Sequence, residues 1–95
     1  MTPTTIYLLI YAKGCYLDEF ITYSGITNNI ERRYEEHKLG KCRTTNRYNK
    51  SYRLIELRFF PYYNKKMAEL IEPRLKKYSL KKKLKFTKDW LRLSG

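Results

Sequence analysis

The apolar positions change their rhythm several times along the chain. Thr5 to Ala12 (TIYLLIYA) is an unbroken apolar run rich in Ile and Tyr, which predicts a buried strand. Lys13 to Glu19 holds Gly14 and two acids and reads as a loop, and Phe20 to Gly25 (FITYSG) reads as the second strand of a hairpin. Asn28-Asn29 then starts a helix, IERRYEEHKL, that Gly40 stops. Within it Ile30, Tyr34 and His37 share one face. Gly40 to Ser51 is polar and basic, a loop of the kind that carries function. Tyr52 to Phe60 alternates as a third strand, with Leu54, Glu56 and Arg58 on one side and Ile55, Leu57 and Phe59 on the other. Asn64 caps a helix running through Met67, Leu70, Ile71 and Leu75 to about Tyr78. Ser79 opens a basic helical stretch, and Thr87-Lys-Asp-Trp looks like one more short helical start. The order β-β-α-β-α-α predicts a small α/β sandwich with a central three-stranded, largely antiparallel sheet flanked by helices.

Length and composition narrow the class. Ninety-five residues allow one domain, 1–95, and an apolar fraction of 42% is enough for one small core. The longest apolar stretch, Ile6 to Ala12, is far short of the ~20 residues that a bilayer demands, so no membrane span is expected. MTPTT lacks the basic and small-residue signature of a secretion signal. Cys15 and Cys42 make no disulfide framework, and with one histidine they have no zinc-ligand spacing. An intracellular, cytoplasmic, non-secreted protein is the expectation. No Gly-rich phosphate loop precedes a helix, so nucleotide hydrolysis has no support.

Charge is more informative. The net value is +12, and it is lopsided: residues 1–37 hold three basic and five acidic residues, while 38–95 hold eighteen and four. Such a charge costs stability by self-repulsion, and a polyanionic partner explains it. Nucleic acid fits better than a membrane surface, because the basic segments lack a clean apolar face.

Thr5-Ile6-Tyr7, then Tyr23-Ser24-Gly25-Ile26-Thr27, a helix with Arg33 and His37, and Ala68-x-x-x-Glu72-x-x-x-Lys76 on a later helix form an ordered set. The set resembles the GIY-YIG nuclease family, in particular its small stand-alone members. The resemblance covers about residues 5–80 and leaves 79–95 as a basic C-terminal stretch. It implies a divalent-metal-dependent endonuclease that hydrolyses DNA phosphodiesters, with Tyr7, Tyr23, Arg33, His37 and Glu72 catalytic. It also implies that Glu72 is the metal ligand for Mg²⁺, with Mn²⁺ as a substitute.

The chemistry asks for these side-chain types. Phosphodiester hydrolysis needs a nucleophilic water, counter-charge for the transition state and help for the departing 3′-oxygen. Arg33 is a permanent planar cation for a phosphate, and His37, one turn later, hydrogen-bonds it or shuttles a proton near neutral pH. A tyrosine that activates water needs a pKa depressed from its usual ~10. One carboxylate suits Mg²⁺, which keeps most of its water. Each residue has a plainer reading. Tyr7 and Tyr23 are two of ten tyrosines and pack a core edge; Arg33 has Arg32 beside it; His37 serves equally as a structural histidine; Glu72 competes with Glu69.

Three features depart from the family pattern. Fifteen residues lie between Tyr7 and Tyr23, so either the KGCYLDEF hairpin loop is enlarged or Tyr11 is the first-motif tyrosine; the IYLL context favours Tyr7. Pro73, directly after Glu72, predicts a kink or bulge that re-aims the carboxylate. Ile26 stands where some branches carry a lysine.

For nucleic-acid contacts the candidates are Lys41, Arg43, Arg47 and Lys50 in the loop after the first helix, and Lys76 and Lys77 at the head of a lysine run reaching Lys88. Lysine surfaces carry little sequence information, so binding is expected to be salt-dependent and weakly specific. Tyr48, Tyr62 and Tyr63 either stack on unpaired bases or pack under the loops. One site per domain implies nicking by a monomer, with a dimer for double-strand cuts and a partner protein to supply target specificity. The alternative is a non-catalytic basic nucleic-acid-binding module, or accessory subunit, that keeps the fold.

Overall fold

A computed structural model of the chain describes residues 3–14 and 19–94. The middle of the first predicted loop, Cys15 to Asp18, lies outside the described residues, as do Met1, Thr2 and Gly95. Strand β1 (Thr4–Lys13) runs antiparallel to β2 (Glu19–Thr27) on one side and to β3 (Arg53–Tyr62) on the other. With both neighbours in place and both faces covered, every residue from Thr5 to Ala12 is buried, which is why that stretch reads as continuously apolar. Helix α1 (Ile30–Lys38), the one-turn α2 (Arg43–Asn46) and a 3-10 turn at Tyr48–Lys50 connect β2 to β3. Helices α3 (Lys65–Lys77) and α4 (Leu80–Phe86) follow.

The sheet has four strands, not three. Leu91–Ser94 forms β4, antiparallel to β3, and the order is β2-β1-β3-β4. Four residues of LRLS are too short to signal a strand, but pairing with Glu56 to Phe59 satisfies the outer edge of β3. The helical start predicted at Thr87 is only a turn, with Trp90 N–H bonded to the Thr87 carbonyl. β3 also continues through Pro61, which the pattern placed beyond its end. Because β4 ends opposite Phe59, Pro61 has no outer neighbour to lose a hydrogen bond with.

A bulge corrects the predicted alternation of β3. The register passes from Ile10 opposite Glu56 to Tyr11 opposite Leu54, leaving Ile55 as the extra residue. Leu54 therefore joins Leu57 and Phe59 against Tyr7, Leu9, Tyr11 and Tyr34, while Ile55 joins the opposite core of Ile6, Leu8, Ile10, Ala68 and Leu75. The sheet is thus sandwiched, with α1 on one face and α3 and α4 on the other.

The two tyrosine motifs are far apart in sequence because the strands are long, not because the loop is. Tyr7 pairs with Gly25 and Lys13 still pairs with Glu19, so most of the separation is taken up by the paired strands. Side chains cap the helices as their identities suggest: Asn29, Asn64 and Ser79 accept from the N–H of Arg32, Met67 and Lys82. Gly40 (φ +73°) ends α1 in a Schellman arrangement, its N–H on the His37 carbonyl and the Lys41 N–H on that of Glu36. Pro73 does not interrupt α3, which stays helical from Lys65 to Lys77. Pro73 and Glu69, whose carbonyl loses its partner, both lie on the exposed face, where solvent can reach the carbonyl. Among the described residues no helix is long and apolar enough to cross a membrane.

Candidate active site

Tyr7 and Tyr23 project from neighbouring strands onto the α1 face of the sheet, where Arg33 and His37 come down from α1 one turn apart. Arg33 Nε donates to the Tyr7 hydroxyl at 3.3 Å, and His37 Nε2 lies 3.1 Å from the same oxygen. The rings of Tyr7 and Tyr23 are 6.5 Å apart, and each is 5.6 Å from the imidazole. Gly25 makes this approach possible: a Cβ there would stand 2.6 Å from the Tyr7 hydroxyl, so only glycine lets the phenol lie across β2. Tyr7, not Tyr11, is therefore the tyrosine that meets Arg33 and His37. The Tyr11 hydroxyl is buried beside Tyr48 and has no hydrogen-bond partner among the described residues.

Burial divides the cluster into an inner and an outer pair. Tyr7 is 1% exposed and His37 fully buried. His37 Nδ1 is 2.6 Å from the hydroxyl of Thr45, itself buried on α2, so both ring nitrogens are occupied. Desolvation, reinforced by the Arg33 charge, lowers the His37 pKa to about 4, and the ring is neutral at physiological pH. The sequence expectation of a phosphate contact or near-neutral shuttle at His37 therefore finds no free nitrogen and no suitable pKa. Desolvation also pushes the Tyr7 pKa up to about 12 against the opposing pull of Arg33, the reverse of the depression expected for a water-activating phenol. In turn, the Tyr7 hydrogen bond helps raise the Arg33 pKa, fixing the guanidinium as a permanent cation.

The outer pair faces solvent. The Arg33 side chain is about one-third exposed, held by Tyr7, by Glu36 at 3.4 Å and by the Cys42 sulfur at 3.7 Å. Two of its five N–H groups are left for a ligand. Tyr23 is half-buried, and no hydrogen bond fixes its hydroxyl among the described residues.

Glu72 lies on the other face of the sheet. Successive strand residues point oppositely, so Ser24 faces α3 while Tyr23 and Gly25 face α1. Ser24 donates to Glu72 Oε1 at 3.3 Å, and Lys76 Nζ is 3.2 Å from the same atom. The Glu72 side chain is only 12% exposed, whereas Glu69 is open and pairs with Lys65. No contact joins Glu72 to the other four, but all of them flank β2. It is the sheet's edge strand, with one side unpaired among the described residues. A ligand bridging Arg33 and Glu72 has to cross that edge. No group of three or more metal-binding side chains occurs among the described residues. The donor set nevertheless fits a hydrated hard cation: one carboxylate whose second oxygen has no protein partner among the described residues.

The proposed nucleic-acid residues divide between the two faces. Lys41, Arg43, Arg47 and Lys50 are exposed around α2, and Arg47 lies over the Tyr48 ring at 5.2 Å. Lys76 and Lys77 are exposed on α3. Tyr48 packs edge-on against Tyr11 and Tyr52, and Tyr62 lies tilted against Phe60, whereas Tyr63 is open. Sequence reasoning missed Thr45 and Ser24 as partners of the site. Neither has a local signal, since their partners are eight and forty-eight residues away.

The family model of the GIY-YIG catalytic domain matches residues 4–85, so it spans all five of these positions. No curated protein and no solved structure gives a match.

Proposed function

The chain belongs to the GIY-YIG catalytic domain family, and on that premise we propose that it is a divalent-metal-dependent endonuclease that nicks DNA as a single domain spanning 1–95. One observation carries this reading: the buried Tyr7 hydroxyl clamps Arg33 from behind, and Tyr23, whose hydroxyl has no hydrogen bond among the described residues, packs on the same Tyr7–His37 cluster.

In this reading Arg33 binds the scissile phosphate and offsets the charge that grows on it in the transition state. Tyr23 orients the attacking water. Tyr7 and His37 are positioning residues: the hydroxyl of Tyr7 holds Arg33 Nε, and the neutral imidazole holds Tyr7 while Thr45 holds the imidazole. Arg33 donates to the Tyr7 oxygen, whose own proton is then free for His37 Nε2, which places the ring proton on Nδ1 toward Thr45. Glu72 would hold Mg²⁺ or Mn²⁺, which when bound supplies positive charge for the phosphate and the departing 3′-oxygen. Lys41, Arg43, Arg47 and Lys50 carry the DNA along one face, and Lys76 and Lys77 along the other.

The test is relaxation of supercoiled plasmid in Mg²⁺ or Mn²⁺ against EDTA. Metal-dependent nicking is expected, reduced about 100-fold or more in Glu72→Ala and in Arg33→Ala. The second reading, a nucleic-acid-binding module that keeps the fold without the activity, is favoured by one contact, the Lys76 ammonium already on Glu72. Salt-sensitive DNA binding with no cleavage in either metal selects it.

A further inference from the structure

Helix α4 carries an open cleft of about 550 Å³ that shares no residue with the candidate active site. Leu80 and Leu84 turn inward, Leu84 onto the Ile6, Leu8 and Ile10 core, which leaves Lys81, Lys82, Lys85 and Phe86 facing out around Ser79. No acidic residue lines the cleft, and none of these lysines has an ion pair among the described residues. Phe86 is 44% exposed yet held in place, with Tyr78 edge-on at 5.6 Å and Trp90 at 6.1 Å. Trp90 is in turn backed by Phe60 at 6.0 Å. The Lys82 ammonium lies 4.2 Å from the Tyr78 ring centroid.

Lysines around an exposed, immobilised aromatic ring have a specific use. Base stacking on such a ring requires a base free of its duplex partner, while the ammonium groups follow the backbone. Lysines alone would serve a duplex equally well, and the ring is what distinguishes the two. The cleft also has a fixed relation to the carboxylate. Lys83 donates to Thr22 of β2 at 2.9 Å, two residues from the Ser24 that holds Glu72, so α4 and Glu72 lie on the same face of the sheet.

We propose that this cleft is a second nucleic-acid site that takes a single-stranded segment of the substrate, an unpaired base stacking on Phe86 and its phosphates lying on Lys81, Lys82 and Lys85. It rests on the nuclease reading only in assuming a nucleic-acid substrate. The experiment is therefore one of binding, in EDTA, so that a protein unable to cleave still tests it.

Fluorescence anisotropy with labelled oligothymidylate and with a duplex of equal charge is measured for the full chain, alongside emission from Trp90, its only tryptophan. Oligothymidylate is expected to quench Trp90. Phe86→Leu should weaken single-strand binding roughly 5-fold or more while leaving duplex binding unchanged, and Phe86→Tyr should restore it. The pair Lys81→Gln with Lys85→Gln should weaken single-strand binding more than Lys65→Gln with Lys66→Gln, a matched charge change at the start of α3. Equal losses in the two lysine pairs would overturn the proposal, as would tight binding without Trp90 quenching or wild-type affinity in Phe86→Leu. Displacement of the oligonucleotide by polyglutamate as efficiently as by unlabelled oligothymidylate would also overturn it, leaving a merely anionic preference. If Phe86→Leu fails to fold, judged by circular dichroism, the lysine pairs and the quenching decide.

Discussion

His37 sits fully buried between Tyr7 and Thr45, and that position makes it a stability determinant as well as part of the site. Its pKa falls from 6.5 to about 4, first by desolvation and then by the Arg33 charge. Between those values the unfolded chain takes up a proton that the folded chain refuses. The contribution is therefore complete above pH 6.5 and is lost as pH falls toward 4. The ceiling on that loss is about 3 kcal/mol. Urea unfolding across this window should show a steeper decline in the wild type than in His37→Gln. Parallel profiles for the two proteins would mean that His37 already titrates normally. At this scale His37 and Tyr7 also show why residue type does not settle role. Both have the chemistry to act on water or phosphate, and burial keeps both behind Arg33.

At the scale of elements, α3 shows a local rule overridden. Pro73 breaks an isolated helix, yet here Ala68, Ile71 and Leu75 pack on the sheet while Pro73 stays on the open face, and the helix runs through it. The Glu72 carboxylate is held by Ser24 and Lys76 on a helix that continues through Pro73. Pro73→Ala should then raise stability by about 1–3 kcal/mol, since alanine restores the bond to the Glu69 carbonyl and favours helix. The nicking rate should be unchanged. A fall in cleavage or in metal affinity in that variant would show instead that the proline aims the carboxylate. The bulge in β3 has a comparable local effect, sending Leu54 and Ile55 to cores opposite to those their alternation assigns.

For the molecule as a whole, the +12 charge is spread over both faces of the sheet, around α2 on one and on α3 and α4 on the other. Binding to nucleic acid should be dominated by counterion release. If six or more phosphates are contacted, affinity should fall about 1,000-fold or more between roughly 50 and 200 mM salt. Titrations at several salt concentrations measure the slope directly, and a nearly flat dependence would remove the electrostatic basis for a polyanionic partner.

Local physics made much of this protein legible from its sequence. Caps at Asn29, Asn64 and Ser79, the glycine stop at Gly40 and the apolar run of β1 act within a few residues, so the element order up to α4 could be read directly, except for α2 and the 3-10 turn, which form inside the stretch Gly40 to Ser51 expected to be a loop. The motif spacing was enough to indicate the family, and it named Tyr7, Tyr23, Arg33, His37 and Glu72 as candidates. Contacts over long sequence separations decided the rest. β4 exists because β3 has an edge to pair, and Thr45 and Ser24 join the site only because the chain returns to them. Glu72 is set across an edge strand from Arg33 by the two-residue alternation of β2, which no spacing along the sequence encodes. The buried, neutral state of His37 and the raised pKa of Tyr7 come from desolvation, which is set by what packs around a side chain and not by its neighbours in sequence.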